Sequence, residues 1–192
     1  IDALYTLAKV YQVQQQWNSA LSVFQQIVQH YPDIVNGYQG TIASMLKQGK
    51  KPTLANIPQP KETNKAVLNL VYANYLLLSN DYETANNLIN QHASQLPTQL
   101  QTQSTELQKQ INIKRAIAAL ANKNYQRSRE LSVENIKQFP DDAVFYNILA
   151  KTEIEAQQYT EAKKVIEQIS ARFPGNQTLN VQQKIFKKLE SS

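Results

Sequence analysis

His30 and His92 are the only imidazoles in the chain, so acid–base or metal chemistry near neutral pH would have to begin with them. They fall in different segments, each late in a predicted second helix, and no shared metal site is expected. Glu153 and Glu155 are two residues apart, which on a helix turns them to different faces and denies them the geometry of a carboxylate pair. Asp141 and Asp142 follow Pro140 and precede a predicted helix, a placement suited to capping its N-terminus. Glycine occurs only at 37, 40, 49 and 175, so no phosphate-cradling loop exists; Gly37 and Gly40 suit close packing or a loosened helix start. Cysteine is absent, which removes disulfides, thiolate ligands and cysteine nucleophiles and leaves the redox compartment open. The expectation is no catalytic residue, no cofactor, no metal and no enzyme activity. Lys50, Lys51 and Lys61 bracket a proline-containing segment, and no aromatic residue between Gly49 and Val71 could stack on a base. That segment reads as a solvated loop rather than a nucleic-acid contact.

The elements that carry these residues must be helices. Of 192 residues 42% are hydrophobic and 18% charged, enough to bury a core, while only 4 Gly and 7 Pro interrupt the chain. The net charge of +5 is spread over 20 Lys and Arg against 15 Asp and Glu, and 25 Gln take much of the surface that charges usually fill. A pI near 9.3 hints at acidic partners. The most apolar stretch, Ala66 to Leu78, is interrupted by Asn69 and Asn74 and is too short to span a bilayer. A soluble chain is expected, compatible with a cytoplasmic or a bacterial periplasmic location.

One spacing recurs four times without change: an alanine, an aromatic nine residues on, a small residue three further, and a proline twelve further. The sets are Ala8, Trp17, Ala20, Pro32; Ala73, Tyr82, Ala85, Pro97; Ala116, Tyr125, Ser128, Pro140; and Ala150, Tyr159, Ala162, Pro174. Small residues on two successive helices let antiparallel axes approach closely. The aromatic opens the second helix beside that contact, and the proline stops it and passes the chain to the next pair. This pattern, with Leu4, Leu7, Tyr11, Phe24 and Ile27 in the first unit, resembles the tetratricopeptide repeat family. The last full unit matches through Tyr146, Leu149, Ile166 and Ile169, whereas Asn69, Asn112 and Ser132 stand where the family prefers large apolar or aromatic residues.

The resemblance implies an all-α solenoid, a superhelix of antiparallel helix pairs, as one domain over 1–192. The prolines lie 65, 43 and 34 residues apart, so the array is irregular. Units are expected at about 1–34, 35–65, 66–99, 100–142 and 143–176, with a capping helix at 177–190. The 35–65 unit is degenerate: Ala43 is read as its alanine, Pro52 replaces the aromatic, and Pro58 and Pro60 truncate the second helix. Thr98 and Gln101 read as a capping box that opens a long helix running to about Ala121.

In this family the first helices line the concave face where partners bind. The positions carried over are Tyr5 and Lys9, then Leu70, Asn74 and Leu77, then Ile113 and Ile117, then Asn147 and Lys151. They imply a groove apolar in its middle and polar or basic at its ends, suited to a peptide or amphipathic helix with acidic flanks. Tyr5 and Lys9 stand where the family's carboxylate clamp would place lysine and asparagine, so that clamp is not expected. The expected function is a non-catalytic protein-interaction scaffold. Two alternatives stand beside it: an RNA-binding helical-repeat protein, and the repeat region of a larger bacterial envelope assembly or secretion protein. The first is disfavoured because Tyr5, Leu70, Ile113 and Asn147 offer no repeating polar code for bases.

Overall fold

The computed structural model describes residues 1–60 and 65–175. They form α1 (Asp2–Val13), α2 (Trp17–His30), α3 (Val35–Lys47), α4 (Lys65–Leu78), α5 (Tyr82–Gln91), α6 (Thr98–Ala121), α7 (Tyr125–Gln138), α8 (Ala143–Glu155) and α9 (Tyr159–Arg172), with no strand among the described residues. The expected capping helix at 177–190 lies outside them.

Turn chemistry sets the register of every first helix. Gln15, Asn80, Lys123 and Gln157, each seven residues after the repeat alanine, have φ between 56° and 63°. A left-handed residue there ends the helix and lets the next amide bond back to the carbonyl five residues earlier. That bond recurs as Gln16 to Tyr11 at 2.8 Å, Asp81 to Leu76 at 2.9 Å, Asn124 to Ala119 at 2.9 Å and Gln158 to Glu153 at 2.8 Å. In α3 the left-handed residue is Gly49, at φ 70°, and Lys50 bonds to Met45 at 3.0 Å. Counting back seven residues puts Ile42, not Ala43, in the alanine position. The sequence reading is one residue out there, because it was aligned on a small side chain and not on the turn.

The small residues do what their size requires. Ala8, Ala73, Ala116 and Ala150 are all 0% exposed, as are Ala20, Ala85, Ser128 and Ala162 on the second helices. Around the first contact pack Val23, Phe24 and Ile27, and around the last Tyr146, Leu149, Val165, Ile166 and Ile169. The two asparagines that break the apolar pattern are buried and partnered. Asn112 donates to the Asn135 side chain at 2.7 Å, and Asn69 to the Leu88 carbonyl at 3.5 Å. A wholly apolar core would lack these bonds, each worth about 1 kcal/mol net when both partners are buried.

α3 has no second helix of its own. The chain from Gln48 to Pro60 contains only a short 3-10 turn, Leu54–Asn56, closed by a reciprocal capping box between Thr53 and Asn56. Gln59 donates to the carbonyls of Leu54 and Ile57, and the Tyr72 hydroxyl donates to that of Pro52 at 3.1 Å. Ile57 is inserted to 2% exposure, so a tied loop fills space that a helix takes in the other units. Ile42, in place of alanine, fits the same exchange: with no paired second helix at close approach, a large side chain is admitted there and is itself buried.

By its internal contacts the chain divides into two compact units, Ile1–Gln108 and Lys109–Ser192, with the boundary inside α6. The first holds α1 to α5 and the start of α6. The second holds the rest of α6 and α7 to α9.

Candidate functional site

The carboxylates that could do chemistry are engaged in structure. Asp142 accepts from the Val144 amide at 3.0 Å and pairs with Lys109 at 3.2 Å, while Asp141 pairs with Arg172 at 3.2 Å. Glu153, 2% exposed, accepts two bonds from Arg129 at 2.6 and 2.7 Å, and that hydrogen-bonded carboxylate holds the Arg129 guanidinium above its usual pKa. Glu155 makes a looser exposed pair with Lys151 at 3.7 Å. His30 ends α2 and His92 follows α5, on different helix pairs. Among the described residues no three His, Asp or Glu side chains gather as a metal site would need.

What remains is surface, and the common register sorts it. The position of Lys9 is filled by Ala43, Asn74, Ile117 and Lys151 on the other first helices, and all five are exposed. Four of these were expected to face a partner. The position of Tyr5 behaves differently from helix to helix. Tyr5 is half-buried with the Lys9 ammonium 5.3 Å from its ring centre, Ile113 packs beside the Ala116, Leu131 and Phe145 cluster, and Asn147 is half-buried.

Leu70 and Leu77 depart from the expectation of an open apolar groove. They are 2% and 8% exposed and belong to the core of the first unit. α4 is apolar on all sides and buried without a break from Ala66 to Ala73, as a helix of that composition must be. A partner could reach neither leucine without displacing its neighbours. Ile117, at 44% exposure, remains available on α6.

The largest exposed aliphatic side chains of the first unit sit elsewhere, in the last turns of its first helices: Val13 at 84%, Leu46 at 49% and Leu78 at 76%. Val13 and Leu46 were not singled out from the sequence. For Val13 the signal lies in the register, because Val13 and Leu78 both stand five residues after a repeat alanine, whereas the register of Leu46 becomes legible only with the left-handed turn at Gly49.

Among the described residues no helix is long and apolar enough to cross a membrane. No curated protein and no solved structure matches the chain. Residues 2–33 match the model of the tetratricopeptide repeat, the stretch that holds α1, α2 and the first alanine-to-proline set. Repeats of this kind generally mediate protein–protein interaction and are typically non-catalytic. The matched unit's spacing, turn and buried small-residue contact recur in three further helix pairs, so the tetratricopeptide-repeat match at residues 2–33 is to one unit of a repeating all-α array.

Proposed function

We propose that this chain is a non-catalytic scaffold that holds partner protein segments through exposed positions on the first helices within each of its units. One observation carries the reading: the register position of Lys9, Ala43, Asn74, Ile117 and Lys151 is exposed on every first helix, while the alanine or isoleucine one residue before it is always buried. A position left open in each repeat, beside one that is always buried, is a surface offered to something outside the chain. Its side chains are mixed, two lysines, an amide, an alanine and an isoleucine, which suits a peptide with both apolar and acidic residues better than a uniform ligand.

The test is site-specific photo-crosslinking in native extract after nuclease treatment. A photoreactive residue at 9, 74, 117 or 151 is expected to capture a protein. The same residue at Gln26 or Gln168, exposed positions on second helices, is expected to capture little. Equal capture from both sets, or adducts only with nucleic acid in untreated extract, would reject the reading.

A further inference from the structure

α1 and α3 both run antiparallel to α2, so the last turns of both lie beside its start. Trp17, the only tryptophan in the chain, is the first residue of α2 and is half-buried there. Two contacts tie the end of α3 to it: the Gln48 side chain donates to the Trp17 carbonyl at 3.0 Å, and the Lys47 ammonium lies 6.0 Å from the indole centre. On the other side of a three-residue turn stands Val13, the most exposed large apolar residue described, and next to Lys47 stands Leu46. The rim at the start of α2 thus carries the half-buried indole, and the helices on either side of it, α1 and α3, end in the exposed Val13 and Leu46.

The charge along this stretch of the chain is one-sided. Lys47, Lys50 and Lys51 are exposed at the end of α3 and in the turn that follows, and none pairs with a carboxylate among the described residues. From Ala3 through Pro60 the only carboxylate is Asp33, which precedes the opposite end of α3. The turn itself is held in shape, since the Asn56 side chain donates to the Lys51 carbonyl at 3.1 Å and accepts from the Thr53 amide at 2.8 Å. The lysines are therefore presented from a fixed backbone and not from a free tail.

We infer that the rim around Trp17 docks an apolar peptide segment flanked by acidic residues, with Val13, Leu46 and the indole taking the apolar side chains and Lys47, Lys50 and Lys51 taking the carboxylates. Tryptophan is the residue type most often found at the energetic centre of protein interfaces, because it offers large contact area with little rotamer entropy to lose. A nucleic acid fits less well, since a single indole beside two aliphatic side chains offers no series of stacking surfaces. This inference rests on the scaffold reading but concerns a different surface from the exposed register position.

Trp17 supplies the readout. Two designed helical peptides with the same leucine stripe, one with glutamate flanks and one with lysine flanks, are titrated into the whole chain while indole emission is followed. The glutamate-flanked peptide is expected to shift the emission and to bind about tenfold more tightly than the other, an advantage that shrinks as salt rises from about 0.05 M to about 0.5 M. Val13→Ser with Leu46→Ser should abolish the shift with little change in the melting temperature, because Val13 is 84% and Leu46 49% exposed. Lys47→Glu with Lys51→Glu should reverse the peptide preference. Equal binding of the two peptides overturns the inference, as does a shift that survives the Val13 and Leu46 changes. An emission shift with phosphatidylserine vesicles and none with either peptide overturns it in favour of a membrane surface. If the rim fails while crosslinks from positions 9, 74, 117 and 151 persist, only the rim is lost and the scaffold reading stands.

Discussion

The α2–α3 contact of the first unit and the α7–α8 contact of the second do the same job, a second helix against the next first helix, with opposite chemistry. In the first, Phe24, Ile27 and Val28 press on Gly37 and Gly40, and a Cβ built on Gly40 would come within 2.3 Å of the Phe24 ring. In the second, the Ser128 and Thr152 hydroxyls meet at 2.8 Å, and Arg129 grips the buried Glu153. Both place helices at the same step of the repeat. The lesson is that the fold asks only for complementary volume at this step, and the sequence can satisfy it with missing side chains or with paired polar ones.

The two solutions should fail differently. Arg129→Leu leaves the Glu153 carboxylate buried without a partner, and is expected to cost about 3 kcal/mol, the low end for a broken buried pair because Arg129 is one-third exposed. Replacing Glu153 by leucine as well should recover most of that loss, since two apolar side chains leave no charge stranded. Urea unfolding of the single and double variants measures both. If the double variant is no better than the single, the pair holds the helices by more than mutual neutralisation.

Gly40→Ala tests the other contact and should cost ~1–3 kcal/mol, because the Phe24 ring is fully buried and has nowhere to turn. Phe24→Leu is destabilising alone but should soften the Gly40→Ala penalty, giving a coupling of about 1 kcal/mol in a double-mutant cycle. Strict additivity would mean that the helices separate as rigid bodies instead of the ring yielding.

The smallest effect contrasts two tyrosines in the register position of Leu4. The Tyr146 hydroxyl accepts from Arg172 on α9 at 3.2 Å, whereas the Tyr38 hydroxyl is buried without a partner, the helix that would supply one being replaced by a loop. Tyr146→Phe should cost about 0.5–1 kcal/mol and Tyr38→Phe should be neutral or slightly stabilising. Burial first, and then the negative Asp33, push the Tyr38 phenol well above its ordinary pKa. The folded state therefore holds this proton more tightly than the unfolded state. Its contribution is complete below a pH of about 10 and is lost as pH climbs beyond it toward the folded value. Melting temperatures at rising alkaline pH should fall less steeply in Tyr38→Phe than in the parent. Parallel curves would mean that other groups control alkaline unfolding.

The all-α fold and its four complete helix pairs were legible in the sequence because the repeat writes size directly into spacing. A helix contact that needs a small residue on each side leaves alanine and serine at fixed distances, and proline at the stop, whatever surrounds them. The loop in place of a second helix was legible for the same reason, through Pro52, Pro58 and Pro60. Exposure was not. Leu70 shares its register with the exposed Gln39 and Leu77 with the exposed Leu46, and only the all-round packing of α4 decides that the two leucines are core. The correct alanine position in α3 waited on a backbone angle at Gly49, since side-chain size alone points to Ala43 and not to Ile42. The rim around Trp17 waited on α3 returning its last turn to the start of α2, which brings Lys47 and Gln48 to a residue some thirty positions earlier in the chain. Local spacing records what each helix must tolerate at its contacts, whereas which faces stay open depends on what the whole chain places against them.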